Sequence, residues 1–144
     1  MDEPTVLVKL LRPGARLPGR ATPGSSGFDL YACLEADVEV TQQPVLIPTG
    51  LAMQVPAGLD AQIRPRSGLA RKGVIATFGT LDSDYRGELM VTLYTTAPGI
   101  THVVRHGDRI AQLVITRLAP VRFELTDVLD DTERGQGGHG STGR

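Results

Sequence analysis

Five short stretches of the sequence pair residue types that can do chemistry with neighbours that could hold them in place. The first is Ser25-Ser26-Gly27-Phe28-Asp29-Leu30-Tyr31-Ala32. Asp29 sits among apolar residues in a predicted strand, where a carboxylate is costly unless it has a partner. It either meets solvent or a turn donor, or it turns towards a metal or charged ligand. The second is Arg64-Pro65-Arg66-Ser67-Gly68-Leu69-Ala70-Arg71. A strand, a proline, an arginine and a serine lead straight into a helix start. That order offers backbone N–H groups, a hydroxyl and a guanidinium to an anion; the plainer alternative is an ordinary N-cap with exposed arginines. The third, Gly79-Thr80-Leu81-Asp82-Ser83-Asp84-Tyr85-Arg86-Gly87, reads as a hairpin with a polar turn. Asp82 and Asp84 are two apart and project on one face if the chain is extended, although a solvated tip would look the same. In the fourth, Gly107-Asp108-Arg109-Ile110-Ala111-Gln112-Leu113, a Gly-Asp turn enters a buried strand, and the amide of Gln112 must find partners there. The fifth is the run Arg134–Arg144, RGQGGHGSTGR, with five glycines and no aliphatic side chain. No Lys follows its glycines and no strand or helix flanks them, so it is not a P-loop. It is either a plain tail or an arm that closes on phosphates.

The elements that must position these groups are short. Apolar runs with period-2 alternation or full burial predict strands at Val6–Leu10, Phe28–Ala32, Val38–Val40, Val45–Ile47, Leu51–Val55 and Asp60–Arg64. Further strands are predicted at Gly73–Thr77, Glu88–Thr95, Thr101–Val104, Arg109–Leu118 and Val121–Leu125. Ile110, Leu113, Val114 and Ile115 form a run buried on both faces. The one predicted helix, Ser67–Lys72, takes Ser67 as N-cap and Gly73 as its stop. Many short strands with regular turn signals indicate an all-β sandwich or barrel. The chain reads as one β domain over residues 1–133, whose last packed segment is Phe123–Leu129, followed by a flexible glycine-rich arm over 134–144.

Composition narrows the function classes. The 144 residues carry a net charge of −1, which argues against bulk attraction to nucleic acid or a membrane surface. The sequence holds no run of 18 apolar residues and no basic, apolar leader, so a soluble cytoplasmic protein is expected. Cys33, the only cysteine, permits no internal disulfide and no cysteine zinc cage, and reads as a packed thiol. Of the 15 basic residues 13 are Arg, the side chain suited to planar carboxylate and phosphate recognition. His102 and His106 lack an evident third ligand and read as surface or turn residues.

Taken together and in this order, the five stretches resemble the five motifs of the trimeric deoxyuridine triphosphatase (dUTPase) family. The resemblance spans residues 24–143 and is carried by PRSGLA at 65–70, GTLDSDYRGE at 79–88, GDRIAQL at 107–113 and RGQGGHGSTG at 134–143. It implies a jelly-roll-like β subunit and a homotrimer with active sites at subunit junctions. It also implies Mg²⁺-dependent hydrolysis of dUTP to dUMP and pyrophosphate, which limits uracil in DNA and supplies dUMP for thymidylate synthesis. By the same resemblance, Asp29 would hold Mg²⁺ through water, and Arg66, Ser67, Gly68 and Gln112 would contact phosphates. Asp82 would activate the attacking water and touch the deoxyribose 3′-OH. Tyr85 would lie under the sugar and disfavour a 2′-OH. Thr80 and Leu81 belong to the 74–82 hairpin, whose backbone would read uracil. Arg134, Ser141 and Thr142 would reach the terminal phosphates, with His139 stacking on the base beside Gly140. Two departures stand out. The family often has Phe where this chain has His139. Many bacterial members carry Asn where Ala76 stands, in a 71–78 stretch that is short here. A dCTP deaminase would carry a catalytic Glu after Thr92-Leu93, where this chain has Tyr94. A non-enzymatic dUTP sensor or protein-binding regulator on the same scaffold is the other alternative. Asp29, Asp82, Gln112 and the whole arm favour an enzyme.

Overall fold

The structure is a computed structural model, described here for residues 3–140. Ten strands and one helical turn follow in the order β1 (Leu7–Leu10), β2 (Phe28–Tyr31), β3 (Val38–Val40), β4 (Val45–Gln54), β5 (Leu59–Arg64), α1 (Ser67–Ala70), β6 (Val74–Ala76), β7 (Gly79–Leu81), β8 (Glu88–Thr95), β9 (His102–Val104) and β10 (Arg109–Arg117). One four-stranded sheet has the order β1-β4-β8-β6, a second the order β2-β10-β5-β7, and β3 pairs with β9 in a small third sheet. The strand pairs are antiparallel. The two larger sheets share one apolar core. Ile47, Leu51 and Leu93 from the first and Leu30, Ile110 and Leu113 from the second are all fully buried in it. With few aromatics, that core is aliphatic, as the composition requires. The architecture is the jelly-roll-like sandwich expected.

Three local expectations change. Val45–Ile47 and Leu51–Val55 are one strand rather than two. Pro48-Thr49-Gly50, which separates the two predicted runs, is absorbed as an irregularity in the pairing with β8 between Pro48 and Ala52. Gly50 takes φ +72 there, and the buried Thr49 hydroxyl donates to the Leu89 carbonyl at 2.6 Å, so the bend keeps its polar groups paired. The helix is shorter than expected and begins with Ser67 instead of being capped by it. Arg66 holds the N-cap position with no side-chain hydrogen bond. Gly73, at φ +81, ends the turn as expected. No strand forms at Val121–Leu125, and Phe123–Leu129 is not packed. Phe123 and Leu125 are 100 % exposed, and Val121, Val128 and Leu129 are also exposed. β10 ends at Arg117, and the large apolar side chains from Val121 to Leu129 stay exposed against the described residues. His106 is an exposed turn residue as expected, and its Nδ1 accepts the Leu34 N–H at 3.1 Å. Cys33 is buried as expected.

Candidate functional site

Strand register brings three of the five stretches side by side. Gln112 of β10 stands opposite Asp29 of β2 on one side and Arg64 of β5 on the other. The chain leaving β5 then turns through Pro65 and Arg66 into α1. The result is a polar cleft of about 160 Å³ lined by Ser25, Gly27, Asp29, Arg66, Ser67, Gly68 and Gln112, with Ala21 at its edge.

The partner that Asp29 needs is a pair of arginines. Its side chain is only 14 % exposed, and Arg66 Nε lies 3.3 Å from one carboxylate oxygen. The Arg109 guanidinium lies 3.9 Å from the other. Arg66 also donates to the Arg109 carbonyl at 3.4 Å. Arg109 was not among the residues picked from sequence. Its signal lay in register: it sits on β10 three residues before Gln112, on the strand that flanks Asp29. Gln112 donates from Nε2 to the Pro65 carbonyl at 2.9 Å, which fixes the turn that carries Arg66 and Ser67. The amide thus serves the structural hydrogen bond that a buried glutamine requires, while also lining the cleft. At Ser67 and Gly68 the first amides of α1 have no acceptor within the helix. Nothing lies within 4 Å of where a Cβ at Gly68 would sit, so a ligand has open access to the backbone.

Gly27 is the narrowest point. A Cβ there would lie 2.1 Å from Gln112 Oε1. Gly27→Ala is therefore expected to swing Gln112 away from Pro65 and to cost about 1–3 kcal/mol of stability, as overpacking does. A lower urea midpoint at unchanged m-value is the measurement.

The third stretch is elsewhere. Leu81 of β7 pairs with Ala61 of β5, so Asp82 leaves the sheet roughly 13 Å of strand away from Arg64. Asp82 and Tyr85 are exposed, and neither lines the cleft. The Thr80 hydroxyl lies 3.2 Å from Gln62 Oε1. Leu81 is buried, so only its backbone can face a ligand. Ala76 is buried as well, which removes its side chain from any role in reading a base. The described part of the arm, residues 134–140, does not line the cleft of its own chain either. Arg134 Nε donates to the Gly137 carbonyl, and the Gly135 N–H donates to the Thr132 hydroxyl at 3.0 Å. His139 and Gly140 are exposed, with φ of 50 and 92. Ser141 and Thr142 lie outside the described residues. One chain therefore assembles Asp29, Arg66, Ser67, Gly68 and Gln112, and leaves Thr80, Leu81, Asp82, Tyr85, Arg134, His139 and Gly140 apart from them.

A second ion pair ties the third stretch to the body. Arg12 and Glu88 meet through two hydrogen bonds, one of them 2.9 Å. The Arg12 guanidinium holds the Glu88 carboxyl below the usual carboxylate range against the opposing effect of partial burial, and the Gly50 N–H helps. Among the described residues, no three His, Cys, Asp or Glu side chains converge on one point. No helix of the described chain is long and apolar enough to cross a membrane.

Known proteins share this fold and much of this sequence. The family model for dUTPase matches residues 14–143. Deoxyuridine 5′-triphosphate nucleotidohydrolase of Maricaulis maris is 48% identical over 136 residues, covering 90% of this chain and 89% of that one. The enzyme of the same name from Treponema denticola is 48% identical over 137 residues, covering 92% and 94%. The Staphylococcus bacteriophage 80alpha dUTPase, solved with dUPNHPP, superposes with a TM-score of 0.80 at 25% identity, covering 97% of this chain and 99% of that one. A family model that matches residues 14–143, with relatives 48% identical over about nine tenths of the chain, places this chain in the dUTPase family.

Proposed function

We infer that the chain hydrolyses dUTP to dUMP and pyrophosphate, and that it does so at sites shared between the subunits of a homotrimer. The observation that carries this reading is the cleft itself. Asp29, Arg66, Ser67, Gly68 and Gln112 converge in a family whose named members act on deoxyuridine triphosphate. A triphosphate needs its charge neutralised before water can attack phosphorus, and positioning with electrostatics supplies most of the catalysis. Arg66, the Ser67 hydroxyl and the amides of α1 are placed to take phosphate oxygens. Asp82 serves as general base towards the α-phosphorus. Tyr85 lies against the deoxyribose, and the backbone of β6 to β7 faces the uracil. Arg134, Ser141 and Thr142 take the terminal phosphates, while His139 stacks on the base.

The donor set at Asp29 fits Mg²⁺ bound through water. A single carboxylate beside a phosphate site suits an ion that keeps several waters and is held mainly by the substrate's own phosphates. Bound there, Mg²⁺ would supply charge neutralisation on the triphosphate and its leaving pyrophosphate. A free buried thiol at Cys33 is in keeping with a reducing cytoplasmic setting.

Two features support sharing between subunits. Asp82 and residues 134–140 stand away from the cleft of their own chain, so a second chain can bring them to it. In addition, the segment from Val121 to Leu129 exposes five large apolar side chains. The same chain carries an apolar groove of about 690 Å³ whose walls include Val6, Val8, Leu17, Phe28, Met53 and Ile115. Packing that segment on a neighbouring copy removes both exposed surfaces from water. Light scattering is expected to report three times the 15.4 kDa chain mass. Phe123→Asp is expected to shift that mass towards the monomer and to remove activity with it. A fully active monomer would refute the shared site.

The direct test of function is pyrophosphate release from dUTP, dTTP, dCTP and UTP, with and without Mg²⁺. Turnover confined to dUTP and dependent on the metal is the expected result. Ammonia released from dCTP would point instead to a deaminase, for which Tyr94 stands in the place of the needed acid–base group.

A further inference from the structure

The segment between β1 and β2 carries arginines at positions 12, 16 and 20, and each is fastened to the body by a different partner. Arg16 lies 4.0 Å over the Tyr31 ring and Arg20 lies 4.5 Å over the Phe28 ring. Arg12 alone of the three reaches the third motif, through its two hydrogen bonds to the Glu88 carboxylate. Glu88 opens β8 opposite Ala52. Its carboxylate also accepts the Gly50 N–H at 3.0 Å, at the irregularity in β4. The side chain is thus gripped from two directions, by the segment that leads to Asp29 and by the backbone of the opposing strand.

The backbone carbonyl of the same residue accepts the Tyr85 hydroxyl at 2.9 Å. The Tyr85 ring folds back over Gly87 to make that bond: a Cβ on Gly87 would lie 2.3 Å from the hydroxyl oxygen and 2.6 Å from the ring carbon that bears it. Tyr85 is 45 % exposed, so packing in the core does not fix its orientation. Its anchor is the hydroxyl end, and that anchor is only as firm as Glu88.

We propose that Arg12 and Glu88 form a positioning pair that sets sugar specificity, by holding the Tyr85 ring where it excludes a nucleotide with a 2′-hydroxyl. This rests on the reading of the chain as a dUTP hydrolase with Tyr85 against the sugar. Rejecting one added hydroxyl by packing alone gives limited discrimination even in a well-formed pocket. It works only if the wall does not yield. A ring on an exposed connection between two sheets yields unless its far end is tied to an acceptor that cannot move. The clamp on Glu88 provides that, and Gly87 leaves the space the tie needs.

The test compares kcat/KM for dUTP and for UTP in the wild type, Glu88→Gln, Arg12→Met, Arg12→Lys and Gly87→Ala, with the oligomeric mass of each measured alongside. The wild type is expected to prefer dUTP. Arg12→Met is expected to keep the wild-type mass and a dUTP kcat within a few fold, while the dUTP-over-UTP ratio falls by about tenfold, through faster UTP turnover. Arg12→Lys is expected to recover part of the ratio, and Gly87→Ala to lose as much as Arg12→Met. Should Glu88→Gln fold poorly, Arg12→Met decides, because it leaves the Glu88 bond to Gly50 in place. An unchanged ratio in Arg12→Met and Gly87→Ala of normal mass would overturn the proposal. A wild type that shows no dUTP turnover, or no preference over UTP, would instead overturn the reading of function on which it rests.

Discussion

Asp82→Asn is expected to lower kcat on dUTP by about 10²–10⁴-fold while leaving the binding of a non-hydrolysable dUTP analogue largely intact. The change is isosteric, so the turn that carries the chain from β7 in one sheet to β8 in the other should keep its shape. The Asp82 carbonyl, which accepts the Tyr85 N–H at 3.1 Å, is untouched by it. What is lost is the carboxylate that takes a proton from the attacking water. Asp84 is an internal control, two residues on in the same exposed turn and with the same chemistry. If general-base chemistry belongs to Asp82, Asp84→Asn stays near wild-type kcat. Burst-phase and steady-state kinetics on the two variants distinguish the cases, and a normal kcat in Asp82→Asn with a deep loss in Asp84→Asn reverses the assignment. The exposure of Asp82 in a single chain makes a second expectation. Mixing an Asp82→Asn chain with an arm-deleted chain should restore some activity, provided each defect falls in a different site of the mixed oligomer.

The sequence made the β architecture legible because period-2 alternation and turn residues act locally. Phe28–Tyr31, Val38–Val40 and Glu88–Thr95 fall where their patterns put them. Its failures came where a distant partner decides. Pro48-Thr49-Gly50 is turn chemistry by composition, but the Leu89 carbonyl across the sheet gives Thr49 a buried partner, and the strand runs through. Val121–Leu125 alternates like a strand, but strands are pairs, and among the described residues no strand pairs with it. The helix boundary missed by one residue, since Ser67 looks like a cap to any local rule while Arg66 takes that place. The candidate site followed the same division. The residue types of all five stretches were readable, but which of them meet was not. Asp29 with Arg66 and Gln112 with Pro65 are contacts of register between β2, β10 and the exit of β5. The pairing of Arg12 with Glu88 joins residues 76 apart in sequence and has no local signature at all.

Removing residues 134–144 is expected to leave a folded oligomer with kcat lowered by about 10²-fold or more, a loss of the size seen when preorganised donors to a developing negative charge are taken away. The arm is built to be costly to order by itself. It has five glycines and no aliphatic side chain, and fixing backbone costs on the order of 1–2 kcal/mol per residue. Its described part makes only local turns, with Arg134 bonded to Gly137 and Gly135 to Thr132. Gly135, His139 and Gly140 all take positive φ, and for His139 that conformation is one that side chains disfavour. Among the described residues only these local bonds offset such costs, whereas a bound triphosphate would offset more. Arg134 exchanges a carbonyl for a phosphate, the glycine amides lack Cβ atoms and approach closely, and His139 gains the face of a base. An arm that engages most strongly as charge develops on the leaving pyrophosphate acts on kcat, not only on KM. It also excludes water other than the nucleophile. Amide exchange should therefore be fast in 134–140 without ligand and slow with Mg²⁺ and a dUTP analogue, while exchange in the β strands stays the same. Truncation should leave light scattering and urea midpoint unchanged. A truncated protein with wild-type kcat would show that the glycine run is a tail and that the cleft of Asp29, Arg66 and Ser67 completes its chemistry without it.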